Sequence, residues 1–549
     1  MKLKLQIKKT TGISENDMRN IDSTSSSFES LITDGCVYVD KTEYLYSLIM
    51  GGGKYFFLSR PRRFGKSLTV STLQAIFEGR KELFEGLYIG KTGYDFKKHP
   101  VIRIDFALLE LQNADFLRKT LLWKLNRIAE KNDIVLNEKK FVKSAFQELI
   151  EKLYQKYGKV VVLIDEYDKP LSDSIDNVTN AVEIRDVLRG FYEALKASAE
   201  YLRFVFITGV TKYSKMSIFS SMNNLNDLSL NPRYATLLGY TQEELEHYFA
   251  EGIDEGSKAL NISKDEYIKK VKQWYDGYCF APNARTVYNP VSIGLFFFNE
   301  GRFFYNYWMN TGGRALLVYD IAKQVDFNIS TDFDTPISID TLTSYDITEL
   351  TGKNVNVDSY KSLLLQTGYL TIKEALGSSG QMFILDFPNE EVREGYLKNL
   401  VGVYLGESAA MGFVPNYLGE FFMRGETQKG IAVIKSIFAK ASYNVTTKLN
   451  EAAFEMAIYT MMKAIGADID IEVPTNHGRI DAVLKTPEHI YVIEYKVDCS
   501  ADKALQQIKD KHYVDMFESD KQNGKTVHLV GVNFSTEGFN ISEYKELLL

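Results

Sequence analysis

The first 240 residues alternate short apolar runs with longer segments of helical periodicity. Apolar runs of strand length lie at 54–58, 101–106, 160–164 and 204–207. Between them, the segment 146–157 repeats apolar residues at the i, i+3, i+4, i+7 spacing that places them on one face of a helix. Strands that alternate with helices indicate a mostly parallel sheet covered on both faces, so we predict an α/β domain over residues 28–240.

The remaining segments have different patterns. Residues 1–27 are polar and end in a serine-rich stretch, which predicts a loose leader. Residues 241–440 predict a mainly helical middle region, whose first helix starts at Thr241. Residues 441–549 predict a separate domain with the element order αβββαβ.

Composition narrows the class of protein without identifying it. The 549 residues are 45% hydrophobic and 25% charged, which is ordinary for packed globular protein and excludes a disordered or collagen-like chain. No apolar run reaches the roughly 18 residues that span a bilayer, and the basic start lacks the apolar block of a secretory signal. Three dispersed cysteines and six histidines without an HxxxH pair argue against a disulfide framework and a zinc site. We therefore expect a soluble cytoplasmic protein.

The charge balance limits the partners of the protein. With 65 basic and 72 acidic residues, the net charge is −7, so the molecule as a whole does not attract nucleic acid. Any binding of nucleic acid therefore requires a local basic groove.

A candidate phosphate loop joins the first strand to a helix. In the sequence SRPRRFGKS, Gly65 permits a close backbone approach, Lys66 can reach the β and γ phosphates, and Ser67 offers a hydroxyl to Mg²⁺. The usual pattern has a glycine five residues before Gly65, where this chain has Arg60. The tripeptide GKS alone is therefore as compatible with coincidence as with nucleotide binding.

A second motif favours nucleotide binding. The apolar run 160–164 ends in Asp165 and Glu166. Asp165 can hold the water shell of Mg²⁺, and Glu166 can polarise the water that attacks the γ-phosphate. A buried strand that ends in a solvated acidic loop is the simpler alternative. However, both motifs follow strands at the carboxyl edge, where α/β sheets bind ligands. This shared position favours a nucleotide site over coincidence.

These motifs resemble those of a bacterial family of AAA-ATPase-like proteins. SRPRRFGKS, VVVLIDEYDKP, ITGVTKYSK and NPRYATLLGYT all match that family, and the likeness runs from about residue 28 to residue 240. The arginine-rich loop is itself a signature of the family, so Arg60 is shared with the relatives. The resemblance implies that Lys66 and Ser67 bind nucleotide and Mg²⁺ and that Asp165 and Glu166 form the Walker-B pair.

The resemblance also suggests further nucleotide contacts. Thr208 and Thr211 lie at the end of the next apolar strand, where such ATPases sense the γ-phosphate. Their hydroxyls could equally satisfy turn hydrogen bonds. No arginine that acts from a second subunit can be identified in the sequence, and Arg62 and Arg63 are candidates to contribute in cis.

A hairpin near the C-terminus carries the second candidate site. Asp481 in GRIDAVLK and Glu494 in IYVIEYK lie at nearly opposite positions across a turn at 486–488, close enough to share a divalent ion. Glu494 and Lys496 are two residues apart, so they face the same side of their strand. This set suits phosphodiester hydrolysis, because the acids can hold Mg²⁺ and the lysine can steady the charge that builds on phosphorus.

The alternative is a half-exposed hairpin with a surface ion pair, and the short pattern is common, since the chain has a second Glu-Tyr-Lys at 543–545. Asp481 and Glu494, however, lie in otherwise apolar strands, where unpaired charge is costly unless it pairs or binds metal. Residues 450–535 also resemble the PD-(D/E)XK nuclease superfamily in element order and sequence. That resemblance adds Gln507 and, from the preceding helix, Glu451 to the site.

The sequence therefore predicts an α/β protein with a P-loop ATPase sheet, a helical middle region and a Mg²⁺-dependent nuclease-like domain. ATP and Mg²⁺ are the expected cofactors, nucleic acid (DNA first) is the expected partner of the C-terminal domain, and no membrane association is expected. Self-association into a homo-oligomer is left open.

Two hypotheses for the function follow from this arrangement. In the first, nucleotide state controls nucleic-acid cleavage. In the second, the protein is a non-catalytic ATP-dependent switch whose nuclease-like fold only docks nucleic acid or a protein partner. The presence of Asp481, Glu494 and Lys496 favours activity. A site that had lost its catalytic activity would have little physical need for metal-binding charges on a strand.

Overall fold

The chain divides into two structural units. One unit is built from Met1–Gly312, Pro336–Gly352 and Asp358–Asn389, and the other from Gly313–Thr335, Lys353–Val357 and Glu390–Leu549. The structure is a computed structural model that describes residues 21–22, 25–109, 113–174, 177–212, 225–311, 318, 321, 335–343, 356–377, 381–405, 417–439, 451–538 and 540–549. Most of the leader predicted over 1–27 lies outside these residues.

The first unit contains helices on both sides of a sheet. Its helices are α1 Phe28–Thr33, α2 Thr42–Met50, α3 Lys66–Phe77, α4 Tyr88–Lys91, α5 Ala114–Lys131, α6 Val142–Tyr157, α7 Lys169–Ser172, α8 Val178–Ala197, α9 Gln242–Tyr248, α10 Ala250–Leu260, α11 Lys264–Tyr275, α12 Pro290–Phe298, α13 Tyr307–Thr311, α14 Ile339–Thr343 and α15 Val357–Thr367. Its strands are β1 Tyr55–Ser59, β2 Val101–Asp105, β3 Val160–Asp165, β4 Leu202–Gly209, β5 Asn226–Asp227, β6 Ile337–Ser338, β7 Thr371–Leu376 and β8 Met382–Asp386. Short 3₁₀ helices lie at Lys81–Phe84, Phe106–Leu108 and Pro232–Tyr234.

The main sheet of this unit confirms the predicted α/β class. Its strand order is β2-β3-β4-β1-β5, and every pairing is parallel. All six residues of β3 are buried, as expected for an apolar strand covered on both faces. Because the strands run parallel, the phosphate loop after β1 and the carboxylates at the end of β3 lie at the same edge of the sheet.

The segment after the main sheet is largely helical, as predicted, and rich in aromatic core residues. Thr241 caps α9 in a capping box with Glu244, which is the start predicted from the sequence. Tyr267, Tyr275 and Phe296 are fully buried in the hydrophobic cluster that joins α9–α12. The sequence analysis missed the small antiparallel sheet β6-β8-β7, which lies within this mainly helical segment.

The second unit is built around a mixed sheet. Its helices are α16 Glu390–Leu405, α17 Tyr417–Met423, α18 Thr427–Phe438, α19 Glu451–Ala464, α20 Ala501–Asp510 and α21 Glu518–Gln522, with a 3₁₀ helix at Tyr513–Phe517. Its strands are β9 Asp468–Thr475, β10 Gly478–Lys485, β11 His489–Val497, β12 Thr526–Ser535 and β13 Asn540–Leu548. Within the described ranges of both units, no helix has the length and apolarity needed to cross a membrane.

The sheet order in the second unit is β13-β12-β11-β10-β9, with β11 and β12 parallel and the other pairs antiparallel. The run α19-β9-β10-β11-α20-β12 gives the predicted order αβββαβ. Two details differ from the prediction. The edge strand β13 was missed because eight of its nine residues are exposed or only partly buried and it lacks an apolar run. The helix after β11, which the sequence pattern predicts over about 501–517, ends at Asp510, since His512 adopts a left-handed φ of 50° that starts the 3₁₀ turn.

Candidate functional site

The phosphate loop connects β1 to α3 and surrounds the amino group of Lys66. Gly65 has a φ of +93° at the start of α3, a conformation that favours glycine. Lys66 is 4% exposed, and its Nζ donates to the carbonyl oxygens of Arg60 and Pro61, each at 3.1 Å. The lysine predicted to bind phosphate therefore lies inside the curve of the loop.

Arg60 explains how the loop tolerates a large residue where a glycine is usual. Its guanidinium is 2% exposed and donates to the carbonyl oxygens of Ser59 at 2.9 Å, Ser229 at 2.8 Å and Tyr234 at 3.2 Å. It also lies 4.2 Å from the ring centroid of Phe280. Burial lowers the pKa of Arg60 to about 9, so the side chain stays charged at neutral pH. Arg60 thus ties the loop to segments that follow the main sheet.

Asp165 lies at the end of β3 with its carboxylate buried. Its Oδ1 accepts a hydrogen bond from the backbone N–H of Glu166 at 3.0 Å. Among the described residues, its buried Oδ2 has no hydrogen-bond partner. Burial raises the pKa of Asp165 to about 6, and the neighbouring Ser67 side chain and the charge of Lys66 oppose this rise. A cation beside Oδ2 would stabilise the ionised carboxylate.

Glu166 points toward the lysine of the phosphate loop. Its backbone has a φ of +51°, a left-handed conformation that is uncommon outside glycine and clusters at functional sites. Its Oε1 lies 3.7 Å from Nζ of Lys66. The structure therefore brings together Lys66, Ser67, Asp165 and Glu166, as the two separate motifs predicted.

Two acidic residues near this site were missed by the sequence analysis. Asp105 ends β2 directly beside Asp165 in the strand register, and burial raises the pKa of Asp105. Asp168 is 2% exposed and accepts hydrogen bonds from the backbone N–H of Val210 at 3.1 Å and from the hydroxyl of Thr211 at 2.7 Å. The available signal was a carboxylate close to the end of each apolar run: Asp105 ends VIRID, and Asp168 follows Asp165 by three residues in LIDEYD.

The predicted threonine and arginine contacts have structural partners of their own. Thr208 is buried, and its hydroxyl donates to the carbonyl of Leu58 at 2.8 Å, while the hydroxyl of Thr211 donates to Asp168. Arg62 and Arg63 are exposed on the loop, and Arg63 donates to the carbonyl of Thr311 at 3.2 Å. A nucleotide role for Thr208, Arg62 and Arg63 stays a prediction.

A cavity of about 450 Å³ adjoins the phosphate loop. Its lining includes the charged residues Arg62, Lys66 and Glu166. The segments 37–41 and 237–240 also line it and supply Val37, Tyr38, Val39, Lys41, Leu237, Leu238 and Tyr240. A lining that combines charged and apolar side chains suits a ligand that has both phosphates and a flat apolar ring.

The second candidate site lies on the β10–β11 hairpin. Ala482 pairs with Ile493 in the antiparallel register, which places Asp481 opposite Glu494 as predicted. Oδ2 of Asp481 accepts a hydrogen bond from the backbone N–H of Tyr495 at 2.7 Å. Glu494 is fully buried, and burial followed by the charge of Asp481 raises its pKa to about 7.

Lys496 and Gln507 both contact Glu494. Nζ of Lys496 lies 3.1 Å from Oε1 of Glu494, so the two side chains share one face as predicted. Nε2 of Gln507, on α20, donates to the same oxygen. In the part of the chain that the structure describes, the buried Oε2 of Glu494 has no hydrogen-bond partner. The side chain of Glu451, the acid suggested from α19, lies outside the described residues.

Tyr513 is a further neighbour that the sequence analysis missed. It is 2% exposed, and burial, followed by the charge of Glu494, raises its pKa, while a hydrogen bond with Gln507 opposes this rise. It also lies close to Gly478, where a Cβ would come within 3.0 Å of its hydroxyl. The 3₁₀ turn that carries Tyr513 has no regular spacing of apolar residues. The sequence pattern therefore could not predict that Tyr513 lies beside this site.

The oxygen atoms of the two candidate sites are suited to bind divalent cations together with other ligands. No described group of three or more His, Cys, Asp and Glu side chains is arranged to hold a metal ion by itself. Each site instead supplies one buried carboxylate oxygen without a described partner, from Asp165 and from Glu494, and an adjacent oxygen donor, from Ser67 and from Asp481. Mg²⁺ commonly binds in this way, through one or two protein oxygens with water or phosphate as the other ligands.

Comparisons with known proteins match the regions of the chain that contain the two sites. A family model described as predicted AAA-ATPase matches residues 24–219, and one described as PD-(D/E)XK nuclease superfamily matches residues 449–544. An uncharacterized protein in the vnfD 5′ region of Azotobacter chroococcum mcd 1 is 33% identical over 516 residues, covering 92% of this chain and 95% of that protein.

Solved structures give weaker matches. The Aeropyrum pernix ORC1 protein in complex with DNA is 10% identical, with a TM-score of 0.23 over 65% of this chain and 90% of that chain. The Aeropyrum pernix ORC2 protein in ADPNP–ADP complexes is 12% identical, with a TM-score of 0.25 over 83% of this chain and 90% of that chain. TM-scores this low support no conclusion about this chain.

Proposed function

Because this chain belongs to a family of predicted AAA-ATPases that carry a C-terminal PD-(D/E)XK nuclease superfamily domain, we propose that it hydrolyses ATP and uses nucleotide state to control Mg²⁺-dependent cleavage of nucleic acid. One observation carries the proposal. In each unit, a buried carboxylate that carries an oxygen without a described partner lies close to a lysine, Lys66 near Asp165 and Lys496 beside Glu494. DNA is the first substrate to test.

In the first unit, the proposed roles follow from position. Lys66 exchanges its two loop carbonyls for the β and γ phosphates, which offer charged acceptors in the same place. Ser67 and Asp165 hold Mg²⁺, which when bound neutralises charge on the phosphate oxygens. Glu166 accepts a proton from the water that attacks the γ-phosphate, and its Oε1 lies 3.7 Å from Nζ of Lys66 at the phosphate loop.

In the second unit, Asp481 and Glu494 would hold Mg²⁺, which would supply positive charge to the phosphate that is cleaved. Lys496 steadies the negative charge that develops on the phosphate oxygens, and Gln507 fixes the orientation of Glu494 through their hydrogen bond. Since the pKa of Glu494 is about 7, its carboxylate is protonated in part at neutral pH. Metal binding competes with this proton, so cleavage is expected to rise as pH increases from 6 to 8.

The decisive experiment measures cleavage by the full-length protein. Labelled single- and double-stranded DNA and RNA are incubated with Mg²⁺, with and without ATP, and the products are resolved on denaturing gels. We expect Asp481→Ala to abolish cleavage while ATP hydrolysis continues. Lys66→Ala should instead remove the effect of ATP on cleavage. Glu488→Gln, an exposed substitution at the turn of the same hairpin, serves as the matched control and should behave as the parent.

The alternative function makes a different prediction in the same assay. If the parent cuts none of these substrates with Mg²⁺ or Mn²⁺, yet binds them in an ATP-dependent way, the C-terminal domain is a docking module and the nuclease role is wrong. If Lys66→Ala and the parent respond equally to ATP, the proposed coupling is wrong.

A further inference from the structure

A groove of about 1020 Å³ runs along the edge of the main sheet in the first unit. Its floor is β2, the edge strand, whose residues Val101, Arg103 and Asp105 line it. Helix α3 and the turn after it form one wall, and α5 forms the other. The groove is separate from the cavity at the phosphate loop and is not needed for the roles proposed above.

The groove is basic although the protein is acidic. Its lining includes the cations Arg80, Lys98, Arg103, Lys124, Arg127 and Lys131 and the acids Glu78, Asp105 and Glu130. Arg80 and Arg127 form ion pairs with glutamates. Lys98, Lys124 and Lys131 form no ion pair with any residue that the structure describes. Three lysines without an ion pair among the described residues, in a lining of six cations and three acids, create the local basic surface that a chain of net charge −7 needs to bind a polyanion.

An exposed tryptophan lies among these cations. Trp123 on α5 is 60% exposed, whereas Leu117, Leu121 and Leu125 on the same helix are fully buried. Those leucines supply the packing of α5, so the indole of Trp123 is not required for it. An exposed ring beside lysines is the combination with which proteins stack the bases of single strands and bind their phosphates.

We propose that this groove binds single-stranded nucleic acid, with the phosphates along Lys98, Lys124 and Lys131 and a base stacked on Trp123. The proposal rests on the proposed function for the class of ligand and adds a binding site in the first unit. An unpaired strand fits better than a duplex, because stacking on a side chain requires an exposed base face. Asp105, which lines the groove, pairs in register with Asp165, so a strand bound in the groove lies close to the phosphate site.

The test measures binding without cleavage. Fluorescein-labelled oligo(dT) of about 30 nucleotides is titrated with full-length Asp481→Ala protein in Mg²⁺-free buffer, and anisotropy is recorded at several salt concentrations. Adding Trp123→Ala should weaken binding about 5- to 150-fold, with little change in the salt dependence. Adding Lys124→Glu with Lys131→Glu should weaken binding and lower the slope of log affinity against log salt by about 1.4. Lys119→Glu, an exposed change on the same helix outside the groove, is the matched control.

The outcomes separate this proposal from the proposed nuclease role. If the Trp123 and lysine variants bind the oligonucleotide as tightly as the Lys119→Glu control, the groove does not bind nucleic acid. If a polyglutamate peptide binds the groove and oligo(dT) does not displace it, the site is a peptide site and the proposal is overturned. Absence of cleavage by the parent, with groove-dependent binding intact, would refute the nuclease and leave the groove assignment standing.

Discussion

Glu494 links ionisation, stability and metal binding in one side chain. Its pKa rises from the ordinary value of 4.5 to about 7, because the carboxyl is buried next to Asp481. Between these two pH values the folded protein holds a proton that the unfolded chain releases. Stability from this group is therefore present below pH 4.5 and is lost as pH rises to 7.

This linkage gives a prediction for Glu494→Gln. The shift of the pKa corresponds to a cost of up to about 3 kcal/mol for the ionised form, and an amide removes that cost. In buffer without divalent ions, we expect the variant to melt several degrees above the parent at pH 8 and to differ little from it at pH 5. Thermal melting of the full-length protein at both pH values measures this. Glu488→Gln should change neither melting point, and an unchanged melting point for Glu494→Gln at pH 8 would contradict the proposed burial cost.

Glu166→Gln tests the proton acceptor in the first unit. The amide keeps the shape of the side chain but cannot take a proton from water. ATP binding should persist while turnover falls about 100-fold or more, as measured by phosphate release and by nucleotide-dependent melting of the same sample. Turnover equal to that of the parent would mean that another residue is the base.

At the scale of elements, the phosphate loop depends on Arg60. Arg60→Gly would restore the usual spacing of glycines, yet it removes a buried cation that satisfies three carbonyls. We expect the free energy of unfolding to fall by about 2–4 kcal/mol, read from the melting of the first unit. Arg63→Gly is the matched control in the same loop. Arg63 is exposed with a φ of +69°, so glycine there should change stability by less than about 1 kcal/mol.

The sequence predicted the structure best where the signal was local, either a periodic spacing of apolar residues or a short motif. The apolar runs located β1–β4, and the spacing of Glu494 and Lys496 placed both side chains on one face. Elements without a strong period were missed, including β13 and the turn that carries Tyr513. The partners of Arg60 and Asp168 were also missed, because they come from distant segments and depend on how those segments pack.

At the scale of the whole molecule, the two sites lie in different structural units, so nucleotide binding in the first unit should be detectable whether or not the second site is intact. ATP with Mg²⁺ at 100 times its dissociation constant stabilises the first unit by about 2.7 kcal/mol. Calorimetry of the full-length protein should show this shift in the parent and in Asp481→Ala, but not in Lys66→Ala. A melting profile of the parent that ATP leaves unchanged would contradict nucleotide binding. The domain boundaries at residues 240 and 440 stay predictions.

The contacts that position the phosphate loop also set the order in which the protein matures. Nε1 of Trp308 donates to the carbonyl of Arg62 at 3.0 Å, across a sequence separation of 246 residues. Gly368 approaches the loop as closely, since a Cβ there would come within 2.7 Å of Pro61. At about 5–20 residues per second, a ribosome makes Trp308 about 12–50 s after the loop. A nascent chain therefore exposes an unsupported loop for that interval and gains its nucleotide site only once most of the first unit has been synthesised.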